Sequence, residues 1–133
     1  MLLCKTSLKA SSIQGIGLFA EEVIPKGTVL WVYQEGLDLT FSEEELKSLS
    51  SPAVEQVMHY AYQCLESGNY ILCGDNARFM NHSSSANTHS ESNGLYQGQS
   101  VSSVDIAIGD EITCDYFEFD KDAYRKLTGR EKR

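Results

Sequence analysis

Ten consecutive residues, Arg78 to Asn87 (R-F-M-N-H-S-S-S-A-N), set the tightest limit on how this chain can fold. Arg78, Asn81, His82, Ser83 and Asn87 crowd hydrogen-bonding side chains together, with only Phe79 and Met80 as apolar ballast. Such side chains compete with the backbone for its own partners, which makes the stretch a poor helix or strand interior and a good candidate site. A second dense stretch, Gly109 to Tyr116 (G-D-E-I-T-C-D-Y), lies near the C-terminus.

The flanking sequence reads as many short strands with a few short helices, a mainly β class. Strands are predicted over Leu2 to Lys9 and Ile16 to Ala20, with Gly15 and Gly17 marking a turn or a close approach to the main chain. Pro25-Lys26-Gly27 is turn chemistry, and Thr28 to Tyr33 is rich in β-branched and aromatic residues. V-I-P-K-G-T-V at 23–29 and I-A-I-G-D-E-I at 106–112 share one grammar of apolar, turn, glycine and strand. Ser42 with Glu45 forms a capping box, and Ser51 followed by Pro52 signals a second helix with Val54, Val57, Met58 and Ala61 on its core face. Hairpins are expected around E-S-G-N, joining the Tyr60–Cys64 alternation to Tyr70–Cys73, and around S-N-G, joining Thr88–Glu91 to Leu95–Ser103. A strand over Glu111 to Cys114 and a helix over Ala123 to Leu127 complete the chain.

A length of 133 residues suits one domain with one core, expected over 1–133. The N-terminal M-L-L-C-K is no signal peptide and no apolar run reaches membrane-span length, so the expectation is an intracellular soluble protein, cytoplasmic or nuclear. Cys4, Cys64, Cys73 and Cys114 form no C-x-x-C pair and read as reduced thiols. The net charge of −8 disfavours direct nucleic acid binding and favours basic protein partners.

Nucleophilic hydrolysis is not signalled. His82 and Ser83 are adjacent, where side chains diverge, and there is no G-x-S-x-G. His59, His82 and His89 fall into no ligand spacing, so no metal is assigned. What the motifs do resemble, in order and spacing, is the SET domain family of S-adenosylmethionine-dependent protein lysine methyltransferases. G-I-G-L-F-A at 15–20, R-F-M-N-H-S at 78–83 with Asn87, and G-D-E-I-T-C-D-Y at 109–116 carry the resemblance. V-I-P-K-G-T-V-L-W-V-Y is similar to the family's segment between the first and second motifs.

The resemblance implies a β-clip-like fold of small curved sheets, with a pseudoknot-like threading that joins the N-H-S and D-Y segments into one site. It implies a core over 15–116, an insert at about 37–69 forming one wall of the substrate groove, and a C-terminal segment over 117–133. The backbone around Ile16, Gly17 and Leu18, together with Arg78, Asn81, His82 and Tyr116, would hold S-adenosyl-L-methionine. Tyr116 would stand beside the transferred methyl as a catalytic residue. Tyr33 falls where the family often places a second catalytic aromatic near the lysine channel. The chemistry is an in-line attack by an uncharged amine, which needs alignment and desolvation more than a strong base.

The chain also departs from the family. Ser84 and Ala86 replace the cysteine and proline of N-H-S-C-x-P-N, and no cysteine follows Tyr116, so the zinc-binding closing segment of many members is missing. Phe117, Phe119 and Tyr124 are candidates to close the lysine channel, or equally to dock a C-terminal helix. A partner chain completing the channel is a further expectation. The enzyme reading is set against a non-catalytic SET-like binding module, with a basic protein such as a histone as the partner in view and no membrane association.

Overall fold

Short apolar runs broken by glycine give short strands, and the computed structural model, which describes residues 1–92 and 98–130, is built from them. In chain order the elements are β1 (Thr6–Ala10), β2 (Ile16–Ala20), β3 (Val29–Val32), β4 (Leu39–Phe41), α1 (Glu43–Lys47), α2 (Ser51–Tyr60), β5 (Tyr62–Gln63), β6 (Tyr70–Leu72), β7 (Asn81–His82), β8 (Thr88–Glu91), β9 (Gln99–Ser102), β10 (Glu111–Cys114) and α3 (Ala123–Thr128). Single 3-10 turns cover Asn76–Phe79 and Tyr116–Glu118. The strands form three small sheets, ordered β1-β2-β10-β7, β3-β9-β8 and β4-β6-β5.

The two V-I-P-K-G-T-V-like segments pair with each other. Ile24 and Ile106 form an antiparallel bridge, and each segment then makes a four-residue turn, Thr28 N–H to Pro25 O and Asp110 N–H to Ala107 O, both 3.1 Å. The third position of each turn is a glycine with positive φ, Gly27 at 86° and Gly109 at 89°, the conformation a type II turn requires there. The shared grammar is thus one turn used twice, and the second copy aims β10 between β2 and β7.

Inward-facing residues of β2, β3 and β10 then meet. Leu18, Ala20, Ile24, Leu30, Met80, Ile106, Ile112 and Cys114 make the main core, with Leu18, Leu30 and Ile112 fully buried. A satellite core under the helices joins Leu46, Val57 and Ala61 to Phe41, Leu49, Met58, Tyr70 and Leu72. Val57 and Ala61 hold the helix face predicted from sequence, whereas Val54 is only half-buried.

Local chemistry explains where boundaries shift. The Ser42/Glu45 capping box starts α1 as expected. Ser50, not Ser51, caps α2 by accepting from Ala53 N–H, so Pro52 falls on the second helical residue. Tyr60 ends that helix instead of beginning a strand. The first strand starts at Thr6, because the preceding residues pair elsewhere: Leu3 N–H donates to Leu30 O at 2.8 Å and Leu2 bridges Trp31. Both expected hairpins pair antiparallel, although the second strand of the later one begins at Gln99 and most of its S-N-G turn lies outside the described residues.

The parallel pair β7–β10 decides the layout. Thr113 lies opposite Asn81 and Cys114 opposite His82, and Ser83 N–H donates to Cys114 O at 3.1 Å. Asn87 locks the far side of this crossing with its amide, donating to Glu111 O and accepting from Thr113 N–H, both at 2.8 Å. Thr88 Oγ1 donates to Thr113 O at 2.7 Å. The polar decapeptide is therefore neither helix nor long strand; its side chains replace the ladder bonds that its backbone lacks.

Candidate active site

β7 and β10 end side by side, and Tyr116 follows β10 after the single residue Asp115. Its amide donates to His82 Nδ1 at 3.1 Å and its hydroxyl to Met80 O at 2.9 Å. The first bond makes Nδ1 an acceptor, so the neutral ring carries its proton on Nε2, and the 3.6 Å approach of Asp115 Oδ1 to Nδ1 is not an ion pair in that tautomer. The His82 ring also leans on Tyr116, with centroids 5.3 Å apart, and meets Phe117 edge-on at 5.8 Å. Burial pushes the Tyr116 phenol well above its ordinary range, so at neutral pH it is a hydrogen-bond donor and an aromatic wall, not a base.

Asn81 faces the other way. Its amide nitrogen donates to Gln14 O at 3.1 Å, Ile16 O at 3.3 Å and Glu111 Oε2 at 3.0 Å, tying the β1–β2 loop to the polar decapeptide. Ser11 Oγ donates to the same Glu111 carboxylate at 2.7 Å. A Cβ on Gly17 would stand 2.7 Å from Glu111 Oε2. The close approach anticipated at the Gly-x-Gly is thus made by a side chain of the chain itself, and Glu111 is a site residue that the motif contained but that received no role.

A cleft of about 910 Å³ opens between these segments. Gln14, Gly15, Ile16, Arg78, Met80 and Asn81 line one part, and Tyr62, Cys64, Tyr116, Phe119, Asp120 and Lys126 another. Arg78 lies over the Tyr60 ring, 5.9 Å from its centroid. Phe119 meets Tyr62 edge-on at 5.1 Å and Tyr116 at 6.1 Å, which makes an aromatic corner of the three. Burial raises the Tyr62 phenol strongly as well. Glu55, Glu66, Glu91 and Glu118 add carboxylates around the cleft. Among the described residues, no group of three or more His, Cys, Asp or Glu is placed to hold a metal ion.

The structure thus brings Ile16, Arg78, Asn81, Tyr116 and Phe119 to one cleft, with Gly17 and His82 directly behind it. Three residues lie elsewhere. Leu18 is in the core with no exposed surface. Phe117 is 57% exposed, meets His82 edge-on and does not line the cleft. Tyr33 does not line the cleft, and its hydroxyl pairs with Thr40 Oγ1 at 2.9 Å. Tyr62, Asp120 and Lys126 line the cleft without having been singled out; only Tyr62 left a trace, in the Tyr60/Tyr62/Cys64 alternation.

The sequence profile of the SET domain matches residues 15–117, about three quarters of the chain, from the Gly-x-Gly through Tyr116. The chain belongs to the SET domain family. No curated protein sequence matches it significantly. Among solved structures, a candidate histone methyltransferase of Plasmodium falciparum aligns with a TM-score of 0.61 at 21% identity, over 86% of this chain and 95% of that one. A Polycomb Repressive Complex 2 structure in an autoinhibited conformation bound to S-adenosylmethionine aligns at 0.67 and 23%, over 96% of this chain. The inhibitor-bound, humanized complex of Chaetomium thermophilum aligns at 0.67 and 22%, over 92%. This SET domain spans only 17% and 16% of those two chains. At these identities the likeness establishes the fold: small sheets with few helices, wound as in the methyltransferases. Among the described residues no helix is long and apolar enough to cross a membrane.

Proposed function

We propose that this SET domain transfers a methyl group from S-adenosyl-L-methionine to a lysine amine of a basic protein. The observation that carries this reading is the convergence, through the β7–β10 crossing, of Asn81 and Tyr116 on a cleft with aromatic walls, with His82 bonded to the Tyr116 amide behind them. The donor set suits the cofactor: aromatic faces, main-chain carbonyls and a carboxylate-rich rim favour a flat heterocycle attached to a cation. Arg78, Asn81, His82, Tyr116 and the backbone at Ile16 and Gly17 would hold it. When bound, it supplies an electrophilic methyl on a sulfonium.

The residues of the chain do the rest. Tyr116, Phe119 and Tyr62 would enclose the arriving amine, and their apolar faces disfavour its charged form, exposing the lone pair. Tyr116, kept protonated by burial and fixed by its bond to Met80 O, would orient the acceptor. Alignment of this kind is worth on the order of 7 to 11 kcal/mol, so no strong base is required. The net charge of −8 and the glutamates of the cleft favour a basic protein over nucleic acid. An intracellular site of action follows from such a substrate.

The test is radiolabelled methyl transfer to a mixture of basic proteins, with calorimetry of S-adenosylmethionine alongside. Transfer should disappear with Tyr116→Phe, and cofactor affinity should fall at least about tenfold with Asn81→Ala as the Gln14–Ile16 loop loses its tether. The competing reading, a non-catalytic binding module, draws on one observation, that Tyr33 faces Thr40 and not the cleft. Cofactor binding without transfer to any basic protein would favour it.

A further inference from the structure

Phe119 joins Tyr62 and Tyr116 into the aromatic corner without belonging to any helix or strand. It comes after a single 3-10 turn in an irregular backbone conformation, φ −142° and ψ −14°, yet it forms the contact between Tyr62 and Tyr116. The next residues in the chain are anchored far more firmly. Asp120 is 3% exposed, and its carboxylate accepts from Gln63 N–H and Asp122 N–H, both at 2.9 Å, and from Lys126 Nζ at 2.6 Å. Its own amide donates to Tyr116 O at 2.8 Å, and Lys121 N–H donates to Gln63 O at 2.8 Å.

Lys126 closes the arrangement from α3. Its ammonium also donates to Ala61 O at the end of α2 and lies 5.8 Å from the centroid of the Tyr116 ring. Its side chain is 15% exposed and that of Asp120 1%. α3 has six residues and buries only Ala123, too little to form or dock by its own propensity. Lys126 ties it to Asp120 and to the end of α2.

We propose that the buried Asp120–Lys126 pair is the clasp that holds Phe119 against Tyr62 and Tyr116, making both residues positioning residues for methyl transfer. The clasp would thereby do the work of closing one side of the acceptor channel. This rests on the reading of the cleft as a methyltransferase site. The chemistry suits a clasp: breaking the pair from one side strands a buried charge, so the segment has one favoured seat and a steep penalty for leaving it. It also argues against Lys126 as an acceptor, since an ammonium paired to a carboxylate presents no lone pair.

The experiment compares Lys126→Met, which keeps the stem and removes the charge, and Asp120→Asn, which keeps a carbonyl for the Gln63 and Asp122 amides, with the unsubstituted protein. Lys126→Arg serves as the rescue. Hydrogen exchange at the Gln63 and Lys121 amides should accelerate in Lys126→Met and Asp120→Asn, while that of Ile112 in β10 stays unchanged. S-adenosylmethionine affinity should remain within about twofold, kcat on a basic protein should drop at least about tenfold, and Lys126→Arg should recover much of it. Accelerated exchange with full kcat would overturn the proposal by making the pair merely structural. A rise in kcat would overturn it in the opposite sense, with Lys126 obstructing the channel. Absence of transfer by the unsubstituted protein would refute the reading of the cleft itself, and the exchange result would still report whether the pair seats the segment.

Discussion

Single side chains at this site are constrained by their neighbours before any ligand is considered. Gly17→Ala would drive a Cβ into a carboxylate that Ser11 and Asn81 hold in place, so Glu111 must turn away and release both. A loss of about 1 to 3 kcal/mol is expected in chemical denaturation, together with weaker S-adenosylmethionine binding in calorimetry as the β1–β2 loop loosens. Gly74 is stricter: a Cβ there would lie 1.8 Å from Leu37 O, a backbone atom that cannot step aside. Gly74→Ala should cost more than about 3 kcal/mol, seen as insoluble or molten protein by circular dichroism. In the core, Ile112→Ala is expected to cost about 2 to 5 kcal/mol by the same denaturation measurement.

Elements in this SET domain are too short to stand alone, and side chains span their gaps. Asn87 is the clearest case, because its amide makes the two bonds a neighbouring strand would have made to β10. Asn87→Ala leaves Glu111 O and Thr113 N–H unpaired in a half-buried crossing and should cost about 2 to 3 kcal/mol in denaturation, with faster hydrogen exchange at Thr113. What sequence reading reached at this scale was local: the Ser42/Glu45 cap, the turns at Gly27 and Gly109, and the strands around E-S-G-N each depend on a few neighbouring residues. Strand faces were harder. A bulge between Val29 and Trp31 resets the alternation of β3, so the side on which Tyr33 falls cannot be deduced from period two. The Asp120–Lys126 pair was silent for a related reason: Asp120 precedes the helix, and a spacing of six matches no helical pair.

Across the whole molecule the same short elements leave thiols and phenols deep inside, and this gives stability an alkaline edge. Burial pushes the Cys73 thiol up to about 12, and Cys114, Tyr62 and Tyr116 shift in the same direction. Below about pH 8.5 the Cys73 thiol is neutral folded or unfolded, and its burial contributes in full. Above that the unfolded chain ionises while the folded one does not, so stability is lost by about 1.4 kcal/mol per pH unit for that group until its folded value is reached. Melting temperatures should therefore fall from pH 8 to 11, and Cys73→Ala should flatten the fall while lowering the value at pH 8. The motifs at Gly15, Arg78 and Gly109, spread along the sequence, become one site only through the β7–β10 crossing, and the function proposed for it stands or falls on Tyr116. The most direct test is transfer of radiolabelled methyl to basic proteins by the unsubstituted SET domain and by Tyr116→Phe, with cofactor binding measured on both. Transfer by the first alone, with binding kept by both, is the predicted result; equal transfer by the two, or none by either despite binding, would contradict it.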